Sequence, residues 1–265
     1  MKPRSSPPLR QPGEHGTVLK LLYGLTVFLS SFMVLWILIL PSSWLMGRSE
    51  VHASLIAEVI ERHYDEGGGI PAKTLTKYAG HSLVQFTHIL PGALWAGAIP
   101  FQLNPSVRRK HRHAHRVLGH IFLSASLAMA VGILLILQRN LAYWNDYPKS
   151  TPRISSHEEN YFLAVGTCGA AWFAYTALQA FAKIRTGDVP SHRAFIIRHV
   201  ASGVWVALQR IIVLSLQGWG VTDPLQMRYW FGRASEISIF LTIPAGEYAI
   251  RLLKREAEAN TYKAN

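Results

Sequence analysis

Charge is scarce in this chain. Only 16% of its 265 residues are Asp, Glu, Lys or Arg, whereas a soluble domain carries about 25%. Cysteine is nearly absent as well. The single thiol, Cys168, excludes an intramolecular disulfide and a cysteine-built zinc site. No His-Glu-x-x-His pair, Gly-x-Ser-x-Gly elbow or Gly-rich phosphate loop occurs, so zincin, serine-hydrolase and P-loop chemistry have no support. His157-Glu158-Glu159 lacks the second histidine that a zincin needs. What the chain has instead is apolar length: 49% of its residues are hydrophobic, gathered into long runs.

About 20 apolar residues cross the hydrocarbon core of a bilayer as a helix. Six windows reach that length, at 18–40, 82–103, 117–137, 161–182, 195–217 and 230–250. The expected fold is therefore all-α: a polytopic membrane helical bundle of six transmembrane helices. The first apolar stretch is longer than the roughly 7–15 residues of a cleaved signal core, and it reads as a retained span. The expected organisation is a tail at 1–17, a first span at 18–40, an outer segment at 41–81, a five-helix membrane domain at 82–250 and a tail at 251–265. Within the outer segment, Val51, Leu55, Ile56, Val59 and Ile60 have helical spacing, which predicts a short amphipathic helix over 49–64.

The formal charge of +12 would point to nucleic acid in a soluble protein. Here the cations sit in short clusters between apolar runs, so no nucleic-acid partner is expected. Lys2, Arg4, Arg10 and Lys20 precede or open the first span. Arg108, Arg109, Lys110, Arg112 and Arg116 lie between spans two and three. Lys183, Arg185, Arg193 and Arg198 lie between spans four and five, and Arg251, Lys254, Arg255 and Lys263 end the chain. These 17 cations lie on one side against eight on the other. Positive segments stay in the cytoplasm, so both termini are predicted inside. The same clusters favour anionic inner-leaflet lipid as a partner of an integral, multi-pass membrane protein.

Small residues let membrane helices approach closely, and Gly92/Ala96 and Gly166/Ala170/Ala174 have the small-xxx-small spacing. They point to a bundle core of spans two to five. Spans two–three and four–five also look like two copies of one hairpin, each with an inner connection of about a dozen residues. Each connection ends in a His-Arg pair, His115-Arg116 and His192-Arg193. A parallel repeat of this kind implies a pseudo-two-fold axis along the membrane normal.

Ionisable side chains within spans are costly and usually face partners or cavities. His88, Arg210 and Glu236 fall in the outer third of their spans; His120, His199 and Glu247 fall in the inner third. His199 and Arg210 are eleven residues apart, about 20° from eclipsed on a helix, and Glu236 and Glu247 share that spacing. Two stacked pairs between spans five and six, His199–Glu247 and Arg210–Glu236, are expected. Such pairs either hold the helices together or, through His88, Arg210 and Glu236, bind a small anion or pass a proton.

Histidines on bundle helices can ligate haem b, provided that both lie at nearly the same depth. His120 matches His199, and His115 matches His192. One haem near the inner face is expected, and with it a membrane redox function. No second level-matched pair accompanies His88.

Several of these residues also fall into an ordered pattern: His88-Ile-Leu-Pro91-Gly92-Ala-Leu-Trp95, then Ala98-Ile-Pro100-Phe-Gln102-Leu, His115-Arg116-Val-Leu-Gly119, His192-Arg193-Ala-Phe-Ile-Ile-Arg198 and finally Arg210. The pattern resembles a domain family of multi-span membrane proteins from bacteria, fungi and algae that has no assigned function. The resemblance covers roughly residues 80–250. It implies that His88, His115, Arg116, His192, Arg193, Arg198 and Arg210 are signature positions. Arginine is more usual at the position of His120, which implies His115 with His192 as the better haem ligands. The arrangement also resembles transmembrane b-type cytochromes at the level of fold.

Overall fold

The computed structural model describes residues 14–39, 77–78, 80–146 and 154–262. Among them the chain is all-helical, with no strand. Helix α1 is Glu14–Ile39. Helix α2 covers 82–103 and contains a π-helical turn, Gln85–Ile89, ahead of its regular part Leu90–Leu103. A short helix α3, Pro105–Lys110, leads into α4, Arg112–Gln138. Then follow α5, Ser156–Arg185, α6, Val189–Gly218, and α7, Pro224–Tyr262. The predicted amphipathic helix over 49–64 lies outside the described residues.

Four helical stretches are long and apolar enough to cross a membrane: Gly16–Leu38, Arg112–Asn145, Ser156–Arg185 and Val189–Gly218. They carry apolar side chains outward, among them Leu21, Leu25, Phe28, Leu35, Val131, Leu134 and Leu178. Water would penalise such a surface and lipid would not. The second and sixth expected spans do form helices. However, α2 is broken by its π turn, and α7 places Arg228, Arg233, Glu236 and Glu247 among its apolar residues. Helix α7 also runs on through most of the expected tail, to Tyr262.

The caps explain the helix starts. Ser155 and Glu158 form a capping box at α5. Asp188 accepts the Ser191 amide at 3.1 Å at α6, followed by Pro190 in the first turn. Hydrogen bonds from Ser191 hold the Asp188 carboxyl below the usual carboxylate range. The connection before it is tight. Only 186–188 separate α5 from α6, and Gly187 takes φ +77° to make the turn. The connection between α2 and α4 contains α3, so the two hairpins do not share one loop design. The π turn has a local cause. Pro91 has no amide hydrogen for the carbonyl of Thr87, and the ladder widens through that stretch.

Successive long helices run antiparallel. Tyr23 on α1 donates to the Pro100 carbonyl of α2 at 2.9 Å. Farther along, the Cβ of an alanine at Gly92 would lie 3.3 Å from Ile37, again between α1 and α2. Gly119 and Gly132 of α4 meet Gln102 and His88 of α2, and Gly166 of α5 meets Leu137 of α4. The core contains Trp95, Ala96 and Ile99 from α2, Phe122 and Ala125 from α4, Phe173 and Ala180 from α5, and Ile196, Val200, Val204 and Ala207 from α6. Leu29 and Met33 of α1 join it. Helices α2, α4, α5 and α6 thus supply most of this core.

Candidate functional site

At the end of the bundle that carries α3 and the 186–188 turn, helices α1 to α7 line a half-open pocket of about 790 Å³. Its walls are apolar: Leu22, Leu25, Leu29, Leu123, Ile196, Val200 and Val204. Six cationic side chains also line it, Lys20, Arg108, Arg109, Arg112, Arg116 and Arg193, with Glu256 the one carboxylate among the described lining residues. His115, His120 and His192 line the same pocket. An apolar body with a negatively charged end is the chemical complement of this surface.

His115 and His192 are held in different ways. The Gln102 side chain donates to the His115 carbonyl at 3.1 Å and steadies the start of α4. The Nδ1 atom of His115 is buried with no partner. On α6, Nδ1 of His192 lies 2.7 Å from the Ala180 carbonyl. A carbonyl only accepts, so Nδ1 carries the proton and Nε2 keeps a lone pair. His115 lies within electrostatic reach of both Arg108 and His192. The pair expected to be level is therefore gathered at one pocket.

The other expected haem pair is not gathered. His120 is exposed at the pocket, whereas His199 is fully buried elsewhere in the core. Every ring nitrogen of His199 is already occupied. Nε2 receives the Trp95 indole N–H at 3.0 Å and lies 2.7 Å from Ser126 Oγ. Nδ1 lies 3.0 Å from Thr176 Oγ1 and 3.1 Å from the Phe173 carbonyl. Phe122 and Trp95 stand edge-on to the ring at 5.4 and 5.8 Å. His199 is a satisfied core histidine that joins α2, α4 and α5 to α6, with no nitrogen left for iron. Aligning His115 with His192 in the sequence also puts Phe122 on His199, and these two rings are in contact.

The two stacked ion pairs expected between α6 and α7 are corrected by the structure. Glu247 pairs with Arg198, at 2.6 and 3.0 Å, and not with His199. Glu236 accepts from Arg233 at 2.6 Å and from Tyr161 at 3.2 Å, and not from Arg210. Toward the C-terminal end of α6 the position facing α7 is Gln209, which donates to the Phe231 carbonyl and Ser235 Oγ. Arg198 and Gln209 are themselves eleven residues apart. The spacing argument thus holds for the residues one place earlier, and a one-residue step turns a helix by about 100°.

The cluster expected of His88, Arg210 and Glu236 therefore differs in the structure. Arg210 donates to Gln209 Oε1 at 2.9 Å and lies against the Phe231 and Trp36 rings. His88 occupies the π turn, packed on Gly132. Nearby, Lys77 and Asp146 form a buried ion pair at 2.8 Å. That pair was not legible in the sequence, because its partners are 69 positions apart and both read as loop residues. Among the described residues no group of three or more His, Cys, Asp and Glu side chains has a metal-binding arrangement.

Comparison with known protein families, curated proteins and solved structures finds no match for this chain.

Proposed function

We propose that this chain is a six-span integral membrane protein with both termini in the cytoplasm, and that its inner pocket binds haem b for electron transfer. The observation that carries the reading is the composition of one pocket: His115 and His192 with a third histidine, His120, six cations and apolar walls in about 790 Å³. The volume lies within the range of cofactor sites, about 300–1,000 Å³.

The residues fit the group in three respects. His192 has its Nδ1 proton committed to a backbone carbonyl, the usual support that directs the other nitrogen to a metal. His115 keeps an unpartnered buried nitrogen beside the same pocket. The guanidinium groups suit carboxylates such as the haem propionates. Bound haem would supply one-electron chemistry at its iron. The chain's own part is to orient the group through His115 and His192, hold its anionic edge on the arginines and keep water from its apolar face.

The test is an optical spectrum of the detergent-purified full chain, expressed with haem supplied, before and after dithionite. A Soret band and a reduced α band are expected. Both should vanish in His115→Ala and His192→Ala and persist in His120→Asn and His199→Gln. A colourless protein at full expression overturns the haem reading.

The same six cations favour a second occupant, an anionic lipid of the inner leaflet whose phosphate meets the arginines. Anionic lipid that co-purifies with a colourless chain, and is lost on Arg116→Gln with Arg193→Gln, would assign the pocket to lipid.

A further inference from the structure

Beside the histidine-lined pocket, α4 and α5 leave a groove of about 360 Å³ between them. Its walls are His120, Leu123, Ser124 and Leu127 from α4 with Ala177, Leu178 and Phe181 from α5. His120, Leu123 and Phe181 also line the pocket, so the two spaces adjoin. Both helices are long and apolar enough to cross a membrane, and Leu127, Leu178 and Phe181 are exposed. In a bilayer this groove meets hydrocarbon.

Two polar side chains nevertheless line it. Hydroxyls within a helix commonly bond back to the carbonyl one turn earlier, as those of Ser126, Thr176 and Thr242 do. Ser124 is exposed and makes no such bond, and neither it nor the exposed His120 ring has a hydrogen-bond partner among the described residues. Polar groups left unbonded against hydrocarbon are costly, and ionisable ones usually face the interior of a bundle. Arg116, one turn before His120, is exposed as well. Arg116, His120, Ser124 and Leu127 thus follow one row of α4 in steps of about 4–6 Å. The row runs from a cation through two neutral hydrogen-bonding groups to apolar surface.

We propose that this row and its groove bind one anionic glycerophospholipid of the adjoining leaflet. The Arg116 guanidinium takes the phosphate. His120 and Ser124 donate to an ester carbonyl, and the acyl chain lies along Leu127, Ala177 and Leu178. Either neutral tautomer of His120 supplies the N–H. Phosphate, ester and chain follow one another in the lipid as their partners do along α4. Arg109, Lys110 and Arg112 are exposed just before Arg116, and their charge favours a net-negative headgroup. The lipid sits beside the pocket, and the site holds with or without haem there.

The experiment is native mass spectrometry of the delipidated full chain in detergent, titrated with dioleoyl phosphatidylglycerol. Saturable binding is expected. Ser124→Trp, which fills the groove from α4, should weaken it by about tenfold, equivalent to about 1.4 kcal/mol. Leu178→Trp fills the same groove from α5 and serves if the first variant does not fold. Arg116→Gln should weaken binding as well, whereas Arg193→Gln, at the pocket and outside the groove, should leave it unchanged. Inorganic phosphate should not compete, because the acyl chain is part of what is bound. The absence of saturable binding overturns the proposal, as does unchanged binding in the groove-filling variants. Displacement by inorganic phosphate overturns it too, by showing a site for the headgroup alone. Loss on Arg193→Gln with retention in Ser124→Trp overturns it by moving the lipid into the pocket.

Discussion

The Trp95 indole donates its N–H to Nε2 of His199 at 3.0 Å, across 104 positions of sequence. The bond assigns the tautomer of a fully buried histidine. With Nε2 accepting, the proton sits on Nδ1, facing the Phe173 carbonyl and Thr176 Oγ1. Four helices are joined at one neutral ring, and each of its polar atoms is met by a partner.

Replacing that ring should therefore cost stability and leave the inner pocket intact. In His199→Phe the Trp95 N–H loses its acceptor, a loss of about 1–3 kcal/mol for one unsatisfied buried donor. His199→Gln should cost less, because an amide can still accept there. Unfolding temperatures of the two variants in one detergent check the order. Equal losses would mean that the ring acts by shape alone.

Gly203 lies where α6 meets Trp95. A Cβ at that position would stand 2.7 Å from Cζ2 of the indole and 3.1 Å from Phe173. Gly203→Ala should destabilise by about 1–3 kcal/mol through overpacking. Trp95→Phe in the same chain should return part of that loss, since the smaller ring vacates the contested space. A double-mutant cycle reads the coupling, and additive losses would rule out this contact as the cause.

Arg198 and Glu247 should couple, whereas Arg210 and Glu236 should not. The first pair is 30% and 37% exposed, so its coupling is roughly 1 kcal/mol. Arg198→Leu with Glu247→Leu should recover part of the single-variant losses. Arg210→Leu with Glu236→Leu should be additive to within about 0.5 kcal/mol, as expected of residues that share no contact. The two cycles together measure the rotation of α6 against α7.

Asp146→Asn should be the most damaging change at the buried Lys77 pair. It leaves Lys77, only 5% exposed, without its charge partner. Breaking a buried pair from one side costs about 3–5 kcal/mol. Lys77→Met together with Asp146→Leu should be milder than either single change. Protease resistance of the detergent-solubilised chain gives the comparison, and a double variant worse than both would contradict the pairing.

The positions of the helices, their alternation and the small residues at their crossings were legible in the sequence. Apolar length, caps such as Ser155 with Glu158, and stops such as Gly187 act over a few residues, and folding at that range is local. The coming together of His115 and His192 was also legible, because each sits near the N-terminal start of its helix and position along the helix follows from counting residues.

Rotation was not legible. Eleven-residue spacing relates Arg198 to Gln209 as well as it relates His199 to Arg210, and only packing decides which pair faces α7. Two glycines bear on that choice: Gly246 lets α7 approach Ala201 and Ile197 of α6, and Gly203 admits the Trp95 ring from α2. With those contacts made, His199 turns inward to Trp95, Ser126 and Thr176, and Arg198 turns to Glu247. Backbone hydrogen bonds within a helix are indifferent to which face looks where. Contacts between side chains of different helices set the angle, and about 100° of it separates a core histidine from an ion pair.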